Sequence, residues 1–331
     1  MRKFKAIIAF LATLIIFVTV SWTAAWLLMP VRTVYGSTWE QYLAEDSNSV
    51  DLLFFGSSLS YCDIIPAVIY EDTKLSSYVL AGPEQTVPIM YYYIKEACNT
   101  QKPQLVAAEV TNVFYKRYQN YTKANISYMP FGGNRLGATF AGAEREELYG
   151  LLFPLYNYHY RWTTIELDDI QKHITPTDDM TAGYTLLTNS CETPTPTTLD
   201  YSSNTENYRR NVEYLGKLKK FCDKENIELL LYITPSSGKI PEAALNDLRS
   251  DLSAFGVTLH DFNENIESLE LNNDLDWYDP LHFNIRGAEK FSHFLSDRID
   301  DAYDFEAKGN NSVLWQQRVE HINKAISELQ E

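Results

Sequence analysis

The sequence predicts a doubly wound α/β fold, in which helices cover both faces of a parallel β-sheet, preceded by one membrane-spanning helix. Short apolar runs of strand length alternate along the 331 residues with longer segments of helical periodicity, as in strands joined by crossover helices. A much longer apolar run stands near the N-terminus. With 45% hydrophobic residues the chain can bury a core, so disordered and fibrous classes are excluded.

The first element is the apolar run Ala6–Met29, which contains no charged residue. As a helix it reaches roughly 36 Å, enough to cross a hydrocarbon core of about 30 Å. Basic residues precede it and only Arg32 closely follows, so the positive-inside bias predicts a cytoplasmic N-terminus and an extracytoplasmic remainder. A cleaved signal peptide is the alternative, but Thr23–Ala25 is a poor cleavage site because Trp26 continues the apolar run. We predict a single-pass anchor that contacts the bilayer through residues 6–29.

Four further apolar runs are predicted as strands, in chain order Val50–Phe55, Leu105–Val110, Ile227–Ile233 and Val257–Phe262. Helical spacing of apolar residues predicts the helices Pro83–Cys98, Asn207–Lys224, Ala243–Phe255 and Gly287–Ile299. In this architecture the loops at the carboxyl ends of the strands meet at one edge of the sheet, where ligands bind.

These elements divide the chain into an N-terminal tip and anchor (1–30), a linker (31–48), the α/β domain (49–303) and a C-terminal tail (304–331). Within the tail, apolar residues at helical spacing predict a short amphipathic helix that folds back on the domain; they are Val319, Ile322, Ile326 and Leu329.

An insertion at about 114–203 interrupts the alternation and is rich in aromatic residues. Eight tyrosines lie between Tyr115 and Tyr160, joined by Phe131, Phe153 and Trp162. Three interpretations stay open: a wall for sugar rings or an apolar acyl group, a belt at lipid headgroups, or an ordinary subdomain core. Near its end, Thr193–Thr198 is predicted as a turn-rich loop.

The charge balance argues against a nucleic-acid partner, and the cysteine pattern argues against a metal site. Lys and Arg total 28 against 44 Asp and Glu, a net charge of −16 that repels phosphate backbones, so no nucleic-acid partner is predicted. The cysteines lack C-x-x-C spacing and a nearby histidine, so no metal site and no cofactor are predicted. They can form up to two disulfides or remain buried thiols, and the residues concerned are Cys62, Cys98, Cys191 and Cys222.

Two polar motifs are candidates for catalysis. Ser58 lies in a small turn directly after the first predicted strand, where its hydroxyl can project toward a substrate, although Ser57 and Ser60 are alternatives. His282 follows Asp279 by three residues, in a loop between the last predicted strand and the last predicted helix of the domain. Both motifs are therefore expected at the same sheet edge. There Asp279 can orient the imidazole at Nδ1 while Nε2 takes the proton of Ser58.

The motifs Gly56-Ser57-Ser58-Leu59 and Asp279-Pro280-Leu281-His282 together resemble those of the SGNH/GDSL hydrolase superfamily. The resemblance implies a flavodoxin-like three-layer fold, a catalytic triad of Ser58, His282 and Asp279, and an oxyanion hole. The oxyanion donors it implies are the backbone N–H groups of Ser58 and Gly82 and the side-chain amide of Asn112.

Two departures from the family pattern narrow the expected function. Ser57 stands where the family usually has an aspartate, and Glu109-Val110-Thr111 replaces the usual glycine-rich context of the asparagine. Both are similar to membrane-anchored members that modify cell-envelope polymers, such as the D-alanyl-lipoteichoic acid transfer protein and alginate O-acetylation proteins. They leave the serine chemistry in place but argue against a simple lipase or esterase.

The resemblance therefore implies an extracytoplasmic serine acyl esterase or O-acyltransferase that acts on envelope polysaccharide. Two alternatives from other classes stay open: a non-hydrolytic partner of a polytopic membrane O-acyltransferase, and a glycan-binding module that retains only the fold.

Overall fold

The structure is a computed structural model that describes residues 2–191, 197–309 and 311–329. Within these residues the strands are β1 Leu52–Phe55, β2 Ser77–Val79, β3 Leu105–Glu109, β4 Thr197–Thr198, β5 Glu228–Ile233, β6 Gly238–Lys239 and β7 Leu259–Asp261. The first helices are α1 Arg2–Leu28, α2 Trp39–Ala44, α3 Ser58–Tyr61, α4 Pro66–Thr73, α5 Val87–Ala97, α6 Thr122–Tyr128 and α7 Gly133–Gly142. The remaining helices are α8 Leu148–Leu152, α9 Pro154–Tyr158, α10 Leu167–Ile174, α11 Glu206–Glu225, α12 Glu242–Ser253, α13 Ile285–Ala302 and α14 Ser312–Glu328. Short 3-10 helices occupy Thr111–Phe114, Arg145–Glu147, His159–Thr163 and Phe262–Leu269.

A five-stranded parallel sheet with the order β2-β1-β3-β5-β7 confirms the predicted fold class. The four predicted strands are all present, each shortened by one to three residues. The apolar runs of β1 and β3 suit strands buried on both faces. Strand β2 was not predicted. It has only three residues, Ser77-Tyr78-Val79, and two of them are polar.

Helices cover both faces of the sheet. Alternate residues of the strands, such as Leu52 and Phe54 of β1, join a core with α4, α13 and α14. On the other side α11 packs against β5, α5 and α12. All of β1 and β3 is buried, so the centre of the sheet is the centre of the core.

The predicted linker (31–48) and the predicted tail (304–331) both contribute buried residues. The segment 31–48 contains α2, where Tyr42 is buried and donates a hydrogen bond to the carbonyl of Ala97 at 3.0 Å. In the tail, α14 packs against α4, and Ile322 and Ile326 belong to the core. Of the predicted turn-rich segment, residues 193–196 lie outside the described residues, and Thr197 and Thr198 form β4, which pairs with β6.

The chain divides into two compact units, one of residues 1–31 and 144–177 and the other of residues 32–143 and 178–331. The second unit contains the five-stranded sheet. In the first, α1 is long and apolar enough to cross a membrane and packs against α9, α10 and His159–Thr163. The aromatic insertion is thus shared between the units, with its middle part beside α1.

A buried ion pair links α14 to the segment that follows α2. The Arg318 side chain is fully buried and pairs with the carboxylate of Glu45, whose side chain is 5% exposed. The Arg318 guanidinium also donates to the carbonyl of Asp179 at 2.9 Å and lies 4.5 Å from the ring centre of Trp315. Removal of one partner leaves the other charge buried and uncompensated.

We expect Arg318→Met to lower the free energy of unfolding by about 3 kcal/mol or more, because Glu45 then loses its partner. Adding Glu45→Gln is expected to recover part of the loss. Urea unfolding of the full chain in detergent measures both. Lys324→Met is the matched control, since its pair with Glu328 is exposed and worth less than about 1 kcal/mol. Equal effects of Arg318→Met and Lys324→Met would contradict this account of the pair.

Candidate active site

The turn after β1 offers three serine hydroxyls, and their environments differ. Ser57 and Ser60 are completely buried, whereas Ser58 is partly exposed. The Ser57 hydroxyl accepts a hydrogen bond from the Leu59 N–H at 3.4 Å, and the Ser60 hydroxyl donates to the carbonyl of Phe55 at 2.9 Å. Both therefore serve the local backbone, and Ser58 is the one of the three that a substrate can reach.

Gly56 allows the strand to turn sharply into α3. Its φ of +148° is unfavourable for other residues, and a Cβ atom there would lie 2.3 Å from Ser60 Oγ and 2.9 Å from Glu109 Cβ. A side chain at this position would displace the turn that carries Ser58.

A second turn, before α13, holds Asp279 and His282. One carboxylate oxygen of Asp279 accepts the backbone N–H groups of Leu281 at 2.8 Å and His282 at 2.9 Å. Trp277 and Phe283 form an antiparallel bridge that closes the turn. Asn284 then caps α13 by accepting the N–H of Arg286 at 3.0 Å. The position of His282 is thus set by backbone hydrogen bonds on both sides.

The two turns meet, although Ser58 and His282 are 224 residues apart in sequence. His282 Nε2 lies 2.7 Å from Ser58 Oγ, and His282 Nδ1 lies 2.8 Å from a carboxylate oxygen of Asp279. A carboxylate partner favours the tautomer with the proton on Nδ1. Nε2 is then free to accept a proton from the Ser58 hydroxyl.

The Asp279 carboxyl is suited to remain ionised beside this imidazole. Partial burial acts to raise its pKa, but hydrogen bonds from the His282 side chain and from the Leu281 and His282 N–H groups outweigh that effect, so the pKa of Asp279 lies below its usual value.

In the structure the N–H groups of Gly82 and Asn112 already have hydrogen-bond acceptors. The Gly82 N–H donates a long hydrogen bond of 3.4 Å to the carbonyl of Gly56. The buried Asn112 amide donates to the carbonyl of Gln85 at 3.0 Å and contacts the sulfur of Met90 at 3.7 Å. Gly82 lies in the loop that follows β2, Asn112 bonds to Gln85 of the same loop, and the oxyanion roles of both residues stay predictions.

Asp63 was missed in the sequence, where the only signal is a carboxyl group within the otherwise apolar stretch Cys62–Ile65. It is completely buried and accepts the N–H of Phe283, next to His282, at 2.9 Å. Burial raises the pKa of Asp63 well above its usual value, and the negative charge of Asp279 adds to this. Asp63 therefore ties the histidine turn to the segment that follows the serine.

Glu109, at the end of β3, is a second buried carboxyl group near the serine turn. One of its carboxylate oxygens accepts the N–H of Thr111 at 2.9 Å. Burial raises the pKa of Glu109 from 4.5 to about 7, against the opposing effect of Thr111. The side chain of Glu109 lies against Gly56.

One aromatic residue at the edge of the insertion, Tyr115, is near the serine turn. Burial raises the pKa of Tyr115, with Tyr201 and Glu109 adding to the effect and Ser57 opposing it. Phe114 stacks between Tyr201 and Tyr208, with ring centres at 5.2 and 5.5 Å. This part of the insertion is therefore close to the candidate site.

Among the described residues, no group of three or more His, Cys, Asp or Glu is arranged to hold a metal ion. The four cysteines are free thiols, of which Cys62 and Cys222 are buried and Cys98 and Cys191 partly buried.

No family model and no curated protein sequence matches this chain. Among solved structures, it is similar to an acetyl xylan esterase at 12% identity and a TM-score of 0.38, over 77% of this chain and 100% of the other. It is also similar to a protein from Bacteroides fragilis named as a candidate acylhydrolase, at 12% identity and a TM-score of 0.39, over 79% of this chain and 93% of the other. Both similarities are weak.

The pKa of Glu109 predicts how stability depends on pH. Between the unfolded pKa of 4.5 and the folded pKa of about 7, only the folded chain retains this proton, so the free energy of unfolding falls as pH rises through that interval. Across the whole interval the free energy of unfolding falls by about 3 kcal/mol, since a difference of one pKa unit corresponds to about 1.4 kcal/mol.

We expect Glu109→Gln to gain stability relative to the unmodified chain as the pH is raised from about 5 to about 8, because glutamine cannot ionise. Urea unfolding at both pH values measures the difference. The exposed Glu320→Gln is the matched control. A constant difference between Glu109→Gln and the unmodified chain at the two pH values would show that Glu109 ionises normally in the folded state.

Proposed function

We propose that the chain is a membrane-anchored extracytoplasmic serine acyl esterase or O-acyltransferase that acts on cell-envelope polysaccharide. The observation that carries the proposal is the continuous line of hydrogen bonds from Ser58 through His282 to Asp279, at 2.7 and 2.8 Å. Serine, histidine and aspartate in this order form a nucleophile, a general base and an orienting acid.

In the first half-reaction Ser58 Oγ attacks the carbonyl carbon of an ester, and the hydroxyl proton moves to His282 Nε2. The tetrahedral intermediate then breaks its bond to the alcohol oxygen. The leaving alcohol takes the proton from Nε2, and the acyl group remains on Ser58 as an ester. Asp279 stabilises the imidazolium that exists between these steps.

In the second half-reaction a hydroxyl group of the acceptor gives its proton to His282 Nε2 and attacks the acyl-serine. Collapse of the second intermediate returns the proton to Ser58 Oγ and releases the acylated acceptor. A polysaccharide hydroxyl as acceptor gives acyl transfer, and water gives hydrolysis. The same residues perform both reactions.

The developing oxyanion needs hydrogen-bond donors close to Ser58. The Ser58 N–H is the first of α3 and so lacks an intrahelical acceptor. The Gly82 N–H is held by only a 3.4 Å hydrogen bond, which an oxyanion can replace. Asn112 can contribute only if its amide gives up one of its contacts with Gln85 and Met90.

Asp63 is proposed as a positioning residue. It accepts the N–H of Phe283 and so holds the backbone immediately after His282. It acts on the reaction through His282.

The proposed membrane attachment is based on the length of α1, its apolar composition and the basic residues at its start. The helix has 27 residues, with Arg2, Lys3 and Lys5 at its start, which favours a cytoplasmic N-terminus. A catalytic domain attached at the outer face meets substrates close to the membrane.

The test is covalent labelling of the purified full chain in detergent with a fluorescent fluorophosphonate, combined with hydrolysis of an activated acetate ester. We expect the unmodified chain to react in both assays, and Ser58→Ala to lose labelling and at least about 10³-fold in ester hydrolysis. Ser268→Ala, which removes an exposed hydroxyl, is the matched control and is expected to keep both activities.

Absence of labelling and of hydrolysis in the unmodified chain would contradict a catalytic role. If Ser58→Ala also preserved the protein's function in cells, the non-hydrolytic partner of a membrane O-acyltransferase would replace the enzyme as the explanation.

The role of Asp279 gives a separate prediction. An asparagine there presents an amide N–H to His282 Nδ1, which favours the tautomer with the proton on Nε2, so that Nε2 can no longer accept the proton of Ser58. We expect Asp279→Asn to lower kcat for the acetate ester about 10⁴-fold with a small effect on KM. Asp297→Asn, at an exposed position of α13, is the control. A reduction of less than tenfold in Asp279→Asn would show that Asp279 does not orient the base.

A further inference from the structure

The middle part of the insertion exposes an unusual number of aromatic side chains. We call this set the aromatic platform; its members and exposed fractions are Tyr149 (74%), Phe153 (62%), Tyr156 (70%), Tyr160 (62%) and Trp162 (71%). Two aliphatic residues of α10 are similarly exposed, Leu167 at 85% and Ile174 at 67%. All belong to the unit formed by residues 1–31 and 144–177.

Water alone is a poor environment for this surface. Each aromatic side chain has about 150–250 Å² of surface, so the five exposed rings together present several hundred Å² of aromatic surface, and Tyr149 and Phe153 are in ring contact at 6.4 Å. A surface of this kind generally marks contact with a protein or a membrane. The composition distinguishes the two, since tyrosine and tryptophan are enriched where a bilayer meets water.

The segment that carries the platform is attached to the C-terminal end of α1. The Arg161 guanidinium donates to the carbonyl of Leu28 at 2.6 Å, and His173 Nε2 lies 2.7 Å from the carbonyl oxygen of Met29. The ring of Trp26 packs against the ring of His173 at 4.8 Å. The side chains of Arg161 and His173 thus supply hydrogen-bond donors to carbonyl groups at the C-terminal end of α1, which have no donor within the helix.

The attachment fixes the depth of the platform. A helix of 27 residues is about 40 Å long, so if α1 crosses a hydrocarbon core of about 30 Å its last turn lies at the outer interface. A segment bonded to the carbonyls of Leu28 and Met29 lies at the same level. Two of its basic side chains are paired with carboxylates, Arg161 with Asp169 at 3.3 Å and Lys172 with Asp168 at 2.6 Å.

We propose that residues 144–177 form a second membrane-binding element, which lies in the outer headgroup region with the aromatic platform inserted toward the acyl chains. The ligand is the phospholipid surface itself. This inference rests on the proposed membrane attachment through α1 and is independent of the serine chemistry. The platform and α1 together give the protein two lipid contacts, one across the bilayer and one along its outer face.

The test uses the full chain in phosphatidylcholine vesicles, with a fluorescent non-canonical amino acid in place of Tyr156 or Trp162. Quenching is measured with phosphatidylcholine that carries a doxyl group near the headgroup end of the acyl chain, and separately with iodide on both sides of the membrane. Two positions serve as references. Phe17 is an exposed residue in the middle of α1, and Val313 is an exposed residue at the start of α14.

We expect the doxyl lipid to quench the label at positions 156 and 162 several-fold more than at 313, and iodide to quench it several-fold less. A doxyl group near the methyl end of the chain is expected to quench position 17 more than positions 156 and 162, because interfacial elements penetrate only about 5–10 Å.

Each other outcome overturns the inference. Iodide quenching at 156 and 162 equal to that at 313, with lipid quenching at 17, shows that the platform faces water although α1 is inserted. Protection at 156 and 162 from both quenchers shows that a second copy of the chain covers the platform. Absence of lipid quenching at 17 refutes membrane attachment as well. Fluorophosphonate labelling of Ser58 does not depend on that result and would still test the serine chemistry.

Discussion

The hydrogen bond between His282 Nε2 and Ser58 Oγ, 2.7 Å long, is the contact on which the functional account depends. It joins two turns that are unrelated in sequence, and each turn is shaped by its own backbone hydrogen bonds. The parallel sheet brings them together, because strands that run in one direction deliver their carboxyl-terminal loops to one edge. The backbone conformation of Gly56 sets the direction of the serine turn, and the carboxylate of Asp279 orients the imidazole of His282.

The surroundings of this contact explain how it is held rigid. The carboxylate of Asp63, which follows the serine turn in sequence, accepts the backbone N–H of Phe283, which follows His282. A second hydrogen bond therefore joins the two turns. Asp63 and Glu109 are completely buried carboxyl groups whose pKa values are raised by burial. Because the pKa of Glu109 is higher in the folded chain than in the unfolded one, the stability of the fold depends on pH.

The sequence was sufficient for the parts of the fold that rest on continuous apolar runs. The strands β1, β3, β5 and β7 were predicted from short apolar runs and the helices α5, α11, α12 and α13 from helical spacing, whereas β2, with three residues, is too short to be recognised. Ser58, Asp279 and His282 were predicted together because their motifs fall at strand ends. The surroundings of Asn112 and the role of Asp63 depend on tertiary contacts, with Gln85 and Phe283 respectively, that no local pattern encodes. The three interpretations of the aromatic insertion could not be separated in the sequence either, because exposure of a tyrosine is a property of the folded chain.

The most direct measurement of the central claim is mass spectrometry of the full chain, quenched in acid shortly after mixing with an activated acetate ester. The account predicts an acetyl group on the hydroxyl of Ser58 in the unmodified chain, and its absence when His282 is replaced by alanine, because the serine then has no base. An acetyl group on another residue only, or equal acetylation of Ser58 with and without His282, would contradict it.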